Sequence, residues 1–335
     1  MNDKLTTGSL ISKALRKPWV PVFIGILAMF AFLAISQPAF LRLNNFVNIL
    51  GQCSMYGIMA VGMVFIISTG GIDISVGMSA FFTMAVMYQV AKVLPAPLVF
   101  LVAILTSTSV GLINGLLVTY LRIPAMIATL ATMSVTRGLA YILINSTNKM
   151  IPPELRIIGG SKIGIIPLAS ILMLAIAIIG AFLLNRTRFG RYVIAIGDNE
   201  GSAAYTGMPI SLVRLGAYAF CGFCVGVAAI VYAGRVGSIQ PDSCLGYEFT
   251  VITAVVLGGT RMTGGRSSVC GAVLGAIFLY LGENALTMLQ VSSYYQVFCR
   301  GAIMFVAIAI DTFTTLRQRK AAARERARRL ETMSA

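Results

Sequence analysis

Apolar residues run along this chain in long uncharged blocks separated by short charged punctuation. Neither the period-two alternation of a half-buried strand nor the stripe of a soluble amphipathic helix dominates. A helix needs about 20 mostly apolar residues to cross the hydrocarbon of a bilayer. Blocks of that order are Trp19–Ser36, Arg42 to Asp73, Asp73 to Lys92, Lys92 to Arg122, Pro124–Ile144, Lys162 to Arg186 and Arg214 to Arg235. Phe249–Gly259, Ser267–Leu289 and Tyr294–Phe313 complete the series. The pattern predicts an all-α, polytopic transmembrane helical bundle of about ten spans. The eighth block keeps only about a dozen uncharged residues before Arg261, which predicts a tilted, broken or re-entrant element.

Charge orients the bundle. With the N-terminus inside, 18 of the 26 Lys and Arg residues fall in inner loops and tails. Six (Arg42, Lys92, Lys149, Arg156, Lys162, Arg235) fall outside, and Arg137 and Arg300 lie within spans. Basic residues accumulate on the cytoplasmic side of short loops, so both termini are expected to be cytoplasmic. The organisation that follows is a cytoplasmic segment 1–18, a transmembrane domain 19–315 with an inner loop 186–209, and a basic cytoplasmic tail 316–335. The first block is too long for the core of a cleavable leader and lacks a small-residue cleavage pattern after it; it reads as a retained span.

Composition agrees. The chain is 58% hydrophobic and 11% charged, with a mean hydropathy of +0.88, whereas a soluble domain carries about 25% charged residues. The net charge of +15 does not point to nucleic acid, because seven basic residues crowd into Arg317–Arg329 and most others flank apolar blocks. That distribution suits membrane orientation and anionic lipid headgroups. The tail is expected either to lie as a helix on the inner membrane face or to be a solvated basic segment. Histidine is absent, which excludes His-based acid–base catalysis and His-ligated metal. The six cysteines are scattered, and Cys221-x-x-Cys224 sits in the uncharged stretch Leu215–Gly234, where two small buried thiols are expected rather than a redox or metal site. No Walker-type phosphate loop is present, so any ATP hydrolysis must come from another polypeptide. Glycine is abundant (33), and the sets Gly216, Gly222, Gly226 and Gly271, Gly275, Gly282 are spaced for close helix approach.

Three polar segments exceed what spanning requires. Thr69-Gly-Gly-Ile-Asp-Ile-Ser-Val-Gly77 breaks the chain between the second and third spans. Freed backbone groups there must line a cavity or pack on protein. Asp73 can cap the following helix with help from Ser75, or contact solute or a gate. Val256–Arg266 is a second glycine-rich break, and Thr263-Gly-Gly265 followed by Gly271 repeats the spacing of Thr69-Gly-Gly71 followed by Gly77, a hint of internal duplication. In the inner loop, Asp198 or Asn199 can cap a short helix through Glu200–Tyr205, ended by Gly207 and Pro209. Such a helix is either a surface connector or something a partner subunit could push against. The intramembrane charges Arg137, Glu283 and Arg300 need partners. Glu283 is expected to pair with one of the arginines, and proton relay is the alternative.

The strings TGGIDISVG, TRFGRYVIAIGDNEGSAAYTGMPI and AVVLGGTRMTGGRSSVCGAVLGA, followed by SSYYQ at 292–296, resemble the permeases of ribose-type sugar ATP-binding-cassette (ABC) importers from about Asn44 to Asp311. The resemblance implies a permease dimer, of one chain or of paralogues, in the bacterial inner membrane. A cytoplasmic ABC ATPase would drive it and a periplasmic sugar-binding protein would feed it. It implies no enzymatic activity and no cofactor in this chain; ATP and Mg belong to the ATPase. By resemblance, Gly190, Arg191, Gly197, Asn199, Ala203, Ala204 and Gly207 would meet the ATPase. Asp73, Ser75 and Gly77 match an early family motif, and Gly258, Gly259, Gly264 and Gly265 a late one, as gate or pathway candidates. Glu283 stands where a ribose permease is expected to have Asn. The solute expected is monosaccharide-sized and polar. The rival expectation is a proton-coupled secondary transporter using Asp73 and Glu283.

Overall fold

A computed structural model describes residues 19–309 except 293, together with 312–313. The segment 1–18 and the basic tail 316–335 lie outside the described residues. Each uncharged block is helical, because in apolar surroundings a helix satisfies its own backbone donors and acceptors. In chain order the helices are α1 (Val20–Ser36), α2 (Leu43–Ser68), α3 (Val76–Val90), α4 (Ala96–Thr119), α5 (Ala125–Ile144), α6 (Ile157–Gly160), α7 (Leu168–Arg186), α8 (Arg188–Asp198), α9 (Glu200–Tyr205), α10 (Ile210–Val236), α11 (Tyr247–Leu257), α12 (Val269–Met288) and α13 (Tyr294–Ala309). Six of them, α2, α4, α5, α7, α10 and α12, are long and apolar enough to cross a membrane. The apolar helices α1, α3, α11 and α13 are shorter. The chain is thus a polytopic helical membrane protein. The eighth block is the 11-residue α11, short as its sequence required.

Among the described residues, strand is confined to two-residue pieces. β1 (Lys149–Met150) pairs antiparallel with β4 (Ser238–Ile239), tying the α5–α6 connection to the α10–α11 connection. β2 (Lys162–Ile163) and β3 (Ile166–Pro167) close a small hairpin ahead of α7.

The bundle is organised around α2, which is buried along almost its whole length from Cys53 to Ser68. It packs on α10, α12, α7 and α11. Lipid offers no hydrophobic drive between helices, so close approach rests on small residues. A methyl group at Gly62 would lie 2.8 Å from Cys221 Cα, so α2 and α10 meet almost backbone to backbone. Cys221 and Cys224 are fully buried at that contact, as small packing residues. Gly222 and Gly226 seat α10 on α4 near Ser107 and Ile104, while Gly216 faces the Phe189 ring. Gly271 and Gly275 seat α12 on α11 against Gly258 and Ala254. Gly282 departs from the expected pattern: only Met29 Cε comes within 4.0 Å of a methyl placed there. It lines an apolar cavity between α1, α12 and α13 rather than a tight contact.

Candidate functional site

The loop after α7 builds a two-part ledge. Thr187 accepts the Gly190 N–H at 3.2 Å and caps α8. α8 buries Gly190, Val193 and Ile196 and leaves Arg191 exposed. Asn199 Oδ1 accepts the Ser202 N–H at 2.9 Å, capping α9. Gly207, at φ +74°, ends the segment, because few side chains adopt that left-handed backbone. Of the seven residues assigned by resemblance, Arg191, Asn199, Ala204 and Gly207 are exposed, Gly190 and Ala203 are buried, and Gly197 is half-buried. Glu200 accepts two bonds from Arg214, at 2.9 and 2.5 Å, which fasten α9 to the start of α10. The tip presents Tyr205, 95% exposed, a residue the sequence argument passed over although an aromatic on a short polar helix was the available signal.

The two glycine-rich breaks meet at this ledge. Gly265 N–H donates to the Ser68 carbonyl at 3.2 Å. A methyl at Gly197 would lie 1.8 Å from that same oxygen and 2.5 Å from Gly265 N. The repeated Thr-Gly-Gly spacing therefore corresponds to two turns that touch in space: that of Gly70, and that of Thr263–Gly265.

Deeper in the bundle, Asp73 lies between the end of α2 and the start of α3. Its Oδ1 accepts the Ser75 N–H at 2.8 Å and the Ser75 hydroxyl at 2.6 Å. This is an Asx turn onto the residue that precedes α3, rather than a bond into the helix's first turn. Asn114 of α4 donates to both Asp73 oxygens at 3.3 Å and to Ser75 Oγ at 2.8 Å. Asp73, Ser75 and Gly77 are all buried. With Val76, Ser79, Ser107, Gly111, Gly222 and Val225, Asp73 and Ser75 line a very small cavity. Gly77 lies against Glu248: a methyl there would sit 2.4 Å from Glu248 Oε2 and 2.6 Å from the Cys244 carbonyl. The N-terminal ends of two interrupted helices, α3 and α11, thus cross at Gly77, each with a buried acid. Sequence reasoning missed Asn114 and Glu248. The signal for Asn114 was a lone amide inside an uncharged span; for Glu248 it was an acid at the mouth of an apolar block.

In the late motif, Gly258 packs on Gly271, and Gly259, Gly264 and Gly265 hold φ of +89°, +85° and +80°. Arg300 and Glu283 approach to 2.7 Å, each partly buried. Arg137 instead meets Asp242 of the α10–α11 connection at 2.6 Å, and Tyr141 also donates to that carboxylate. The bond from Tyr141, and then Arg137, hold the Asp242 carboxyl below the usual carboxylate range. Among the described residues no cluster of His, Cys, Asp or Glu could hold a metal ion.

Comparison with known proteins then places the chain. A family model described as the permease component of the branched-chain amino acid transport system matches residues 45–308. The ribose import permease protein of Escherichia coli (strain K12) is 34% identical over 294 residues, covering 86% of this chain and 92% of that protein. The L-arabinose ABC transporter permease protein of Azospirillum brasilense is 33% identical, covering 86% of this chain and 85% of the relative. The D-allose transport system permease protein of Escherichia coli (strain K12) is 32% identical, covering 86% and 90%. No solved structure matches. Nothing among these relatives supports a proton-coupled carrier built on Asp73 and Glu283. They are transport components, not enzymes. With a family model spanning most of its length and a third of its residues shared with these relatives, the protein belongs to this permease family, in the branch of the ribose-type ABC importers.

Proposed function

We propose that this chain is the membrane-spanning permease of an ATP-driven, binding-protein-dependent importer, carrying a monosaccharide-sized polar solute across the bacterial inner membrane. Ten apolar helices, six long and four short, act as ten crossings with both termini cytoplasmic, in line with the excess of basic residues on that side. The transmembrane domain takes in residues 19–315. A second permease copy or paralogue completes the pathway, and the basic tail rests against anionic lipid.

One observation carries the reading. The α8–α9 ledge is a capped, ion-paired helical step whose exposed face bears Tyr205, Ala204 and Gly207, and by topology it lies on the cytoplasmic side. A cytoplasmic ATPase subunit grips it there. Its ATP and Mg do the hydrolysis, and closure of its nucleotide-binding domains displaces the ledge. The permease core follows, opening inward to a solute released at the outer face by a periplasmic sugar-binding protein. The core residues Asp73, Ser75, Gly77, Gly258 and Gly259 act by shaping the gate rather than by holding sugar, in keeping with the burial of all of them but the half-buried Gly259.

The test is uptake of labelled pentoses and hexoses into vesicles holding the permease, its ATPase and its binding protein. Uptake should vanish with a hydrolysis-dead ATPase; uptake that persists refutes the proposal. Tyr205→Asp and Ala204→Asp should abolish co-purification of the ATPase while leaving the permease folded, and normal co-purification with both refutes the ledge assignment.

A further inference from the structure

We propose that a three-way backbone clasp at Gly197 transmits movement of the α8–α9 ledge to both interrupted-helix turns at once, and through them to the α3–α11 crossing. The proposal rests on the ATPase-coupling reading of the ledge and adds the route by which its displacement reaches the core.

Three chain segments meet at the clasp almost backbone to backbone. A methyl at Gly197 would overlap the Ser68 carbonyl at 1.8 Å and Gly265 N at 2.5 Å. One at Gly264 would lie 2.8 Å from Gly197 Cα, and one at Gly265 would lie 2.9 Å from Asp198 Cα. The Gly265–Ser68 hydrogen bond joins the two turns directly beneath α8. Matter packed this closely is nearly incompressible, so a push on α8 is passed on rather than absorbed. At the far end of the ledge the opposite holds: nothing lies within 4 Å of a methyl at Gly207. The ledge is therefore open toward a partner and locked toward the bundle.

Two limbs lead inward from the clasp. Along the first, Gly71 N–H returns to the Ile66 carbonyl at 3.1 Å, and the Tyr218 hydroxyl donates to the Ile72 carbonyl at 3.2 Å. The Asp73–Ser75–Asn114 network then fixes the entry to α3. Along the second, Arg261 N–H donates to the Arg266 carbonyl and Gly264 N–H to the Arg261 carbonyl, both at 3.0 Å. Thr260 Oγ1 accepts the Ser268 N–H at 3.1 Å, and Gly258 is pressed on Gly271. That turn moves as one body with α11 and α12. The limbs rejoin where Gly77 of α3 meets Glu248 and Cys244 at the start of α11. A closed ring of backbone and side-chain contacts results, through which a shift of α3 is passed to α11. Gly197, Gly264, Gly265 and Ser68 are on this account positioning residues for the transport cycle, acting through the two interrupted helices.

The experiment reads solute transported per ATP hydrolysed, in vesicles containing the permease, its ATPase and its binding protein. A purely structural role would lower transport and hydrolysis together. Gly264→Ala, whose methyl would lie 2.8 Å from Gly197 Cα and 2.9 Å from the Ser68 carbonyl, should retain ATPase co-purification while that ratio falls roughly fivefold or more, the scale of a lost coupling free energy. An unchanged ratio overturns the clasp. A second arm stands if that variant folds poorly. Asp198→Cys with Arg266→Cys, in a Cys270→Ser, Cys299→Ser background, is bridged by a short bifunctional thiol reagent. Transport that survives bridging supports the clasp, since its partners travel together. Transport lost while hydrolysis continues shows that they part during the cycle, and overturns it. A wild-type permease that fails to retain the ATPase sinks the coupling reading and this inference with it, whereas retained ATPase with an unchanged ratio sinks only the clasp.

Discussion

Helices α2 and α7 are neighbours made of similar residues and placed in opposite surroundings. α2 is buried over 89% of its most apolar stretch, α7 over 33%, although α7 is the more hydropathic of the two. α7 turns one narrow stripe, including Ala169, Met173, Ile176 and Gly180, toward α2. Its Leu174, Ile178 and Phe182 are exposed, toward lipid in the reading above. α2 is buried from Cys53 to Ser68 and carries Gly57, Gly62 and Ser68, where neighbours approach closely. In a bilayer, hydropathy therefore marks the side facing lipid, and small or polar residues mark the side facing protein. The most enclosed helix is not the most hydrophobic one.

The comparison breaks first, if it is wrong, at Gly62. Gly62→Leu should cost upwards of about 3 kcal/mol, the range of severe overpacking, and abolish monodisperse protein on size exclusion in detergent. Leu174→Ala on α7 should change the unfolding free energy by less than about 0.5 kcal/mol. Similar losses at both positions would erase the distinction between the two helices.

Next in size is Asn114→Leu, which strips amide donors from the buried Asp73 carboxylate. A hydrogen bond to a charged group contributes about 1.5–3 kcal/mol, and the midpoint of thermal unfolding should fall accordingly. Adding Asp73→Asn to that variant should lower it less than Asp73→Asn does alone, because the two groups act as a pair. Arg300→Met should have a smaller effect, about 1–2 kcal/mol. Its pair with Glu283 is 27% and 19% exposed, so it falls short of the roughly 3–5 kcal/mol of a fully buried pair. Glu283→Gln in the same chain should restore part of the loss.

The smallest effect belongs to the exposed Arg137–Asp242 tie. A carboxyl held below its ordinary range contributes stability above the unfolded value of about 3.9, and loses it as pH falls through the lowered folded value. With side chains 39% and 45% exposed, the contribution is screened to under about 0.5 kcal/mol. Unfolding midpoints measured from pH 5 to pH 3 should fall slightly more steeply in the wild type than in Asp242→Asn. Parallel curves would show that the tie contributes nothing.

Much of this was legible in one dimension. Uncharged blocks located the apolar helices among the described residues, and the early arrival of Arg261 foretold the shortness of α11. Asn199 and Gly207 announced α9 and its end. These features are local: a span needs only its own run of apolar residues, and a cap needs only its next three amides. That Glu283 pairs with one of the intramembrane arginines was also legible, because unpaired charges at depth are costly; that the partner is Arg300, and that Arg137 takes Asp242 instead, was not.

The contacts that give those elements a function were not legible. Ser68, Gly197 and Gly265 meet from positions far apart in the chain, and so do Gly77 and Glu248 or Asp73 and Asn114. No periodicity links such residues; only the packing of α2 among its neighbours brings them together. The sequence alone determined which segments form apolar helices and where they stop, since those choices depend on each segment's own solvation. Which turns touch, and which acid finds which amide, was decided by the tertiary structure, because both depend on how several backbones share one small volume.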